Sequence, residues 1–204
     1  QLMQQKVIGD IRIVRMVLGH GARPGYDKEW RTDPEKGGGG ALLDPGVHCL
    51  DLMRWFCGEP HRASFYPLNA FWPIRHEDNA LALFQFDNNV TAFIQSSITE
   101  WRNKFRLEII GTDGYINVEG RGGSYGPQRI AYAQKWWWLK SPPAEEIVET
   151  YPDGDESFYE ETKEFIAAIR EERQPIGNGK DGLRAAEIID QLYEAKNRYD
   201  IPLS

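Results

Sequence analysis

A run of short segments between residues 61 and 120 constrains the fold more than any other feature of the sequence. Along this run, apolar and polar side chains alternate with a period of two, the spacing of a β-strand that buries one face. The joints DNN (87–89) and GTDG (111–114) contain residues that favour tight hairpin turns. We therefore predict an antiparallel sheet with one covered face. Its strands are HRASFYPLNAF, DNALALFQF, VTAFIQSSIT, KFRLEIIG and YINVEG, extended by QRIAYAQKWWWLK and EEIVETY.

Segments on either side of this run complete the predicted fold. IRIVRMVLG (11–19) is rich in β-branched residues and predicts a strand, and PGVHCLDLMRWFCG (45–58) has the apolar spacing of a helix that ends at Gly58. Two further helices, 156–172 and 182–199, are predicted to cover the sheet. The fold class is therefore α+β, with one sheet and helices packed on one face. The last helix is predicted to bury a stripe of Leu183, Ala186, Ile189 and Leu192 or Tyr193.

Composition and charge exclude several classes of partner. The 204 residues fit one large domain or at most two small ones, and the net charge of −7 argues against nucleic acid as a main partner. No apolar run is long enough to span a bilayer, and no membrane partner is expected. Cys49 and Cys57 would lie about 12 Å apart on one helix, too far for a disulfide. Free thiols indicate a reducing compartment, so we expect a cytoplasmic protein.

The stretch EKGGGGALLDPGVHCLDLMRWFCGEP (35–60) contains the candidate chemistry. Asp44 precedes a proline at the predicted helix start, so it is a natural N-cap, and a capping carboxylate can also face a site. His48 and Asp51 follow at helical spacing and are predicted to share a face with Asp44. An imidazole beside a carboxylate can exchange a proton near neutral pH, although such a pair is often only a structural hydrogen bond. The glycines at 37–40 would let other backbone or a ligand come close.

Two other functions can be weighed from the residues alone. The glycine run at 37–40 lacks the lysine and hydroxyl residue of a P-loop, and EGRGGSYG (119–126) is followed by extended chain, so neither predicts a dinucleotide site. A zinc or manganese site could use Asp44, His48 and Asp51, joined by the acids and histidine of 76–78. No metal is predicted, because the sequence has neither an HExxH pattern nor a second histidine at helical spacing.

The same stretch resembles the signature of the glucose–fructose oxidoreductase / inositol dehydrogenase / MocA (Gfo/Idh/MocA) family of NAD(P)-dependent oxidoreductases. That signature places a glycine triplet before D-x-G-x-H-x-x-D, followed by a tryptophan and a glycine. The matching residues are Gly38–Gly40, Asp44, Gly46, His48, Asp51, Trp55 and Gly58. EDNALALFQFDNNVTAFIQSSIT, RLEIIGTDGYINVEG and DGLRAAEIIDQLYEA resemble later blocks of the same domain.

The resemblance covers essentially the whole chain but only the second half of the family's architecture. It implies an open-faced, mostly antiparallel (mixed) β-sheet that packs against a partner subunit, so we expect a homo-oligomer formed through the open face. QLMQQKVIGD reads as the last turns of a helix ending at Gly9. Residues 1–9 would be the remnant of a helix that links a missing N-terminal Rossmann domain to a C-terminal domain at 10–204. NAD or NADP would bind to that missing domain and not to this chain.

Site residues follow from the same resemblance. His48 would be the general base for a substrate hydroxyl, Asp44 would orient it or contact the substrate, and Asp51 would support them. The substrate would be a sugar or polyol, and the expected substrate-binding residues are His20, Trp30, Arg31, Asp51, Trp101 and Asn103. The alternatives are a free-standing sugar-binding or oligomerisation module without chemistry, and a metal-dependent hydrolase.

Overall fold

The computed structural model describes residues 2–138, 144–151, 156–195 and 199–203. The strands in chain order are β1 (Ile11–Gly19), β2 (Pro60–Leu68), β3 (Asn79–Phe86), β4 (Val90–Ser97), β5 (Lys104–Gly111), β6 (Gly114–Glu119), β7 (Gln128–Gln134), β8 (Ile147–Tyr151) and β9 (Ile201–Pro202). The helices are α1 (Gly46–Cys57), α2 (Ser157–Arg170) and α3 (Gly179–Glu194). The long loop after β1 contains two short 3-10 turns, Tyr26–Lys28 and Trp30–Thr32.

All nine strands form one mixed sheet in the order β8-β7-β6-β5-β1-β4-β3-β2-β9. β1 pairs with β4 in parallel, and the other pairs of neighbouring strands are antiparallel. Both predicted hairpin joints are confirmed, and at the first of them Asn88 and Asn89 adopt φ of 63° and 57°. Asparagine tolerates this left-handed conformation better than most residues, which is why DNN closes a hairpin. The predicted α+β fold with a mostly antiparallel sheet is confirmed.

One face of the sheet carries the hydrophobic core. In the two central strands, alternate residues such as Val14, Met16, Ala92 and Ile94 are fully or almost fully buried. α1 packs over β1 and β4, and α3 packs beside α1 and over β2. The opposite face has no helix among the described residues, and Leu83 is 41% exposed there. The helix packing therefore leaves the sheet with one open face.

The buried stripe of α3 differs from the predicted one. The residues that α3 buries are Ala185, Ile188, Ile189 and Leu192, whereas Leu183 is 61% exposed and Ala186 is also exposed. The helix begins earlier than predicted because Asn178 and Asp181 form a capping box at its N-terminus. α3 packs against α1 and β2 with the face that carries Ala185, Ile188 and Leu192. Positions 196–198 of the predicted helix lie outside the described residues.

Three further segments differ in detail from the sequence prediction. Residues 2–8 form hydrogen-bonded turns and not an α-helix, because Lys6 has a φ of 52° that a right-handed helix cannot continue. β2 ends at Leu68, so the residues up to Phe71 form a loop. β7 ends at Gln134, before the three tryptophans, and residues 139–140 of the predicted strand lie outside the described part of the chain.

Among the described residues, no helix is both long enough and apolar enough to cross a bilayer.

Candidate functional site

The glycine run at 37–40 lets two other segments approach the chain closely. A Cβ on Gly37 would overlap the backbone carbonyl of Arg31, and a Cβ on Gly40 would lie 2.8 Å from the carboxyl carbon of Glu77. The Ala41 N–H donates to the Glu77 carbonyl at 2.9 Å, which fixes this approach. The glycines therefore allow this stretch of backbone to lie in direct contact with the segments that carry Arg31 and Glu77.

A buried carboxylate anchors the segment that precedes α1. Glu77 Oε1 accepts hydrogen bonds from the Leu42 N–H at 2.9 Å and from the Tyr193 hydroxyl at 2.8 Å. The Tyr193 hydroxyl in turn accepts from the Gly40 N–H at 3.1 Å. Burial and the adjacent Glu77 carboxylate raise the pKa of Tyr193, so its hydroxyl stays protonated and can donate. This network ties the start of α1 to α3.

Asp44 is not the N-cap of α1, contrary to the sequence prediction. The helix begins at Gly46 after Pro45, and no side-chain capping hydrogen bond is formed. The turn before the helix supplies an acceptor for the first N–H group of α1, because the Gly46 N–H donates to the Ala41 carbonyl at 2.9 Å. The Asp44 carboxylate is directed elsewhere and remains partly exposed.

The partners of Asp44 come from the loop after β1. The Tyr26 hydroxyl donates to Asp44 Oδ2 at 3.3 Å, and Arg31 Nε lies 3.8 Å from the same oxygen. Tyr26 is buried in its 3-10 turn, and burial, together with Asp44, raises its pKa to about 12. Both contacts are made to the same oxygen, so Asp44 Oδ2 has a neutral hydroxyl donor and a nearby guanidinium.

His20 is the fourth polar group of this cluster. Its Nδ1 accepts from the Ala22 N–H at 3.1 Å, and its ring lies 6.3 Å from that of Tyr26, edge to face. Burial lowers the pKa of His20, Asp44 opposes that shift, and nearby arginines add to it. Because Nδ1 accepts a hydrogen bond, the neutral imidazole carries its proton on Nε2. His20, Tyr26, Arg31 and Asp44 are hereafter the polar cluster.

His48 lies in the first turn of α1, and its side chain is exposed. Within the described part of the chain, no group donates to or accepts from its imidazole, so the predicted hydrogen bond between His48 and Asp44 is not formed. The adjacent Cys49 and Leu50 are fully buried and fix the helix against the sheet. The exposed imidazole is therefore held on a helix that is packed against the sheet.

Asp51 does not join the polar cluster. Its carboxylate lies 3.7 Å from Arg54 one turn later on α1. It lines a separate cavity with Trp55, Glu59 and the segment before α3, and that cavity contains no member of the polar cluster. The predicted common face of positions 44, 48 and 51 is not formed, because Asp44 precedes the helix in a turn.

Aromatic side chains adjoin the polar cluster on one side. The Trp72 ring lies 5.9 Å from Tyr26, Phe71 lies 5.2 Å from Trp72, and Trp101 lies 4.7 Å from Phe71. We call Phe71, Trp72 and Trp101 the aromatic wall. The predicted contact Trp30 lies under the Arg31 guanidinium, 4.8 Å from its ring centre.

Asn103 lies on a different part of the surface from Trp101. Its amide donates to the Ser124 hydroxyl at 2.7 Å, and it lines an open cavity of about 510 Å³ together with Tyr125. Burial and the Asp44 charge raise the pKa of Tyr125, whereas Arg121 opposes that shift. The 120–126 loop is therefore close enough to Asp44 for the Asp44 charge to affect Tyr125.

Several of these functional candidates were not predicted from the sequence. Nothing in the sequence singles out Tyr26, Phe71, Trp72 or Tyr125 as residues of a sugar site. Phe71 had been assigned to a strand, and the prolines at 67 and 73 were the available signal that this strand ends early.

Two of the acids weighed for a metal site, Glu77 and Asp78, are used in other ways. Glu77 binds Leu42 and Tyr193, Asp78 binds backbone N–H groups, and the described residues contain no group of three histidines, cysteines or acids arranged for a metal ion. The 120–126 glycine loop leads into β7, so it has no helix N-terminus for a pyrophosphate. Cys49 and Cys57 are free, and burial raises their pKa values to about 12 and about 11.

The family model described as the GFO/IDH/MocA C-terminal domain matches residues 1–117. The chain belongs to this family. The predicted family is thereby confirmed for more than half of the sequence.

Solved structures share the fold. Levoglucosan dehydrogenase in complex with NADH superposes with a TM-score of 0.80 at 21% identity, covering 100% of this chain and 62% of that one. An oxidoreductase domain protein from Kribbella flavida gives 0.79 at 21%, covering 99% and 62%. Aldose-aldose oxidoreductase from Caulobacter crescentus, complexed with glycerol, gives 0.73 at 23%, covering 95% and 56%. The chain thus spans about 56–62% of the length of these relatives. No curated protein matches the sequence.

Proposed function

We propose that this chain is the substrate-binding and catalytic half of an NAD(P)-dependent oxidoreductase acting on a sugar or polyol. The observation that carries the proposal is the polar cluster around Asp44, two residues before the helix that presents His48. Family membership supports the reaction class. Residues 10–204 would form the domain, and residues 1–9 would be the end of the linking segment.

His48 is assigned the role of general base. An exposed imidazole can accept the proton of a substrate hydroxyl as that carbon is oxidised. Asp44, oriented by Tyr26 and Arg31, would accept a hydrogen bond from a neighbouring substrate hydroxyl. Asp51 would support α1 through Arg54 without touching the substrate.

Substrate contacts are assigned to His20, Trp30, Arg31, Trp101 and Asn103. The solved relatives contain glycerol, L-sorbose and levoglucosan, which are a polyol and two sugars. Such ligands need several hydrogen-bonding groups and an apolar surface, and the polar cluster and aromatic wall supply both.

The redox partner would be NAD or NADP, bound outside this chain, and it supplies the hydride acceptor or donor. The described residues would then position the substrate and move its proton. The open face of the sheet exposes Leu83, Tyr66 and Leu68, which supports homo-oligomerisation through that face. The free cysteines favour a reducing compartment, and we assign the protein to the cytoplasm.

Titration of the chain with sugars and nucleotides tests the proposal. We expect levoglucosan and L-sorbose to shift the indole N–H resonance of Trp101 in NMR spectra, whereas NAD and NADP leave the spectrum unchanged. Saturable binding of either nucleotide to this chain would contradict a cofactor site outside it. Absence of binding by every sugar and polyol tested would contradict the substrate class.

A further inference from the structure

The loop between β2 and β3 is fastened by a single buried carboxylate. Asp78 is fully buried, and its carboxylate accepts from the backbone N–H groups of Ala70, Phe71 and Trp72 at 2.8, 2.7 and 2.9 Å. The Asn79 side-chain amide donates a fourth hydrogen bond at 2.9 Å. A buried charge is tolerated when its oxygens are fully paired in this way.

Further hydrogen bonds fix the same loop to the sheet. The Asp78 N–H donates to the Leu68 carbonyl, and the Ile98 N–H donates to the Asp78 carbonyl. The Trp72 indole N–H donates to the Ile98 carbonyl at 2.9 Å. Burial alone would raise the pKa of Asp78, but the hydrogen bonds outweigh burial and lower it, so the carboxylate remains charged at neutral pH.

This fastening determines where two rings of the aromatic wall lie. Trp72 is placed against Tyr26, which donates to Asp44, and Phe71 is placed against Trp101. The Phe71 and Trp101 rings meet edge to face at 78°, and they remain 60% and 66% exposed. The Phe71 backbone is held by Asp78 and its ring packs on Trp101, yet both rings are uncovered on the solvent side and offer an apolar surface there.

We propose that Phe71 is a specificity-determining residue that contacts the ring of a cyclic sugar, and that Asp78 is its positioning residue. The inference rests on the proposed function, since it concerns the ligand of the same site. A cyclic sugar presents C–H groups on its faces, which pack on an aromatic ring while its hydroxyls bind the polar cluster. A short acyclic polyol has no such face and gains little from Phe71.

The test is whether Phe71 matters for binding a cyclic sugar but not for binding an acyclic polyol. We expect levoglucosan to bind the wild-type chain more tightly than glycerol, and Phe71→Leu to weaken levoglucosan binding about tenfold with little effect on glycerol. Phe71→Tyr keeps the ring and should restore levoglucosan binding. Phe158→Ala, on the exposed side of α2 at 76% exposure, is the matched control and should bind as the wild type does.

Asp78→Asn tests the positioning role. The substitution replaces one acceptor oxygen by a donor that faces N–H groups, so it should shift the Trp72 indole N–H resonance and weaken levoglucosan binding as Phe71→Leu does. Phe71 variants keep the test decisive if Asp78→Asn does not fold, because the Phe71 side chain is mostly exposed.

The outcomes separate the two proposals. Levoglucosan binding that depends on Asp44 but is unchanged in Phe71→Leu would overturn the inference and leave the proposed function standing. Weakening of glycerol and levoglucosan to the same extent would also overturn it. Failure of the wild-type chain to bind any sugar or polyol would overturn the proposed function and the inference together.

Discussion

Replacement of Gly40 by alanine should destabilise the protein far more than the size of a methyl group suggests. The new Cβ would lie 2.8 Å from the Glu77 carboxyl carbon and 2.9 Å from its backbone nitrogen, and still closer to its carbonyl oxygen. Backbone atoms cannot rotate away, so the two segments must separate. Separation strains the Ala41–Glu77 hydrogen bond and the Glu77 contacts with Leu42 and Tyr193. Overpacking at about 1–3 kcal/mol and one or two weakened buried hydrogen bonds at about 1 kcal/mol each give about 2–5 kcal/mol in total.

Gly182→Ala is the matched control for Gly40→Ala. Gly182 lies inside α3, and a Cβ there would meet no atom within 4 Å. Alanine in an exposed helix position stabilises by about 0.5–1 kcal/mol relative to glycine, so the two variants should change stability in opposite directions. Urea unfolding followed by circular dichroism measures both. A Gly40→Ala variant within about 1 kcal/mol of the wild type would refute the close-packing role assigned to the glycine run.

Three further predictions concern hydrogen bonds of the site. Tyr193→Phe removes the hydroxyl that bridges Glu77 and Gly40. In urea titrations, the free energy of unfolding should fall by about 2–3 kcal/mol. A loss below about 0.5 kcal/mol would argue against this bridge. Asp78 has a lowered pKa in the folded state, so its contribution to stability is present above the ordinary Asp pKa of about 4 and is lost as pH falls through the folded-state value. The stability difference between the wild type and Asp78→Asn should therefore shrink in acid, and a constant difference would contradict this linkage. Alkaline difference absorbance between the wild type and Tyr26→Phe should show the Tyr26 phenolate forming near pH 12, and its appearance near pH 10 would contradict the burial of Tyr26 beside Asp44.

Regular elements of this fold could be predicted because their signals are local. In β3 and β4, apolar core residues alternate with residues of the other face, and the asparagines between the strands favour the turn. The local sequence therefore specifies the whole hairpin. α1 is equally local, with apolar spacing and a terminal glycine. The predicted stripe of α3 is confirmed at Ile189 and Leu192 but wrong at Leu183 and Ala186. Leu183 and Ala185 are both apolar, and only contact with α1 decides which of them is covered.

The candidate site was only partly predictable because its partners are distant in the sequence. Asp44 looks like an N-cap within its own segment, yet its hydroxyl donor is Tyr26, 18 residues earlier. The role of Asp78 depends on a loop that the period-two pattern had merged into β2. Residue type and spacing within one segment make His48 and Asp44 candidates, and the family motif adds their roles, whereas Tyr26 and Phe71 belong to no motif and emerge from packing alone.

The most direct test of the proposed function is the turnover of His48→Ala in a protein that joins this chain to the nucleotide-binding domain that the proposal requires. Reduction of NAD or NADP by a sugar or polyol substrate should fall by about 10²-fold or more, the scale of a lost general base. The variant should keep the urea midpoint of the parent, because the His48 side chain is exposed. Near-normal turnover in a folded His48→Ala variant would contradict the assignment of this imidazole as the proton acceptor.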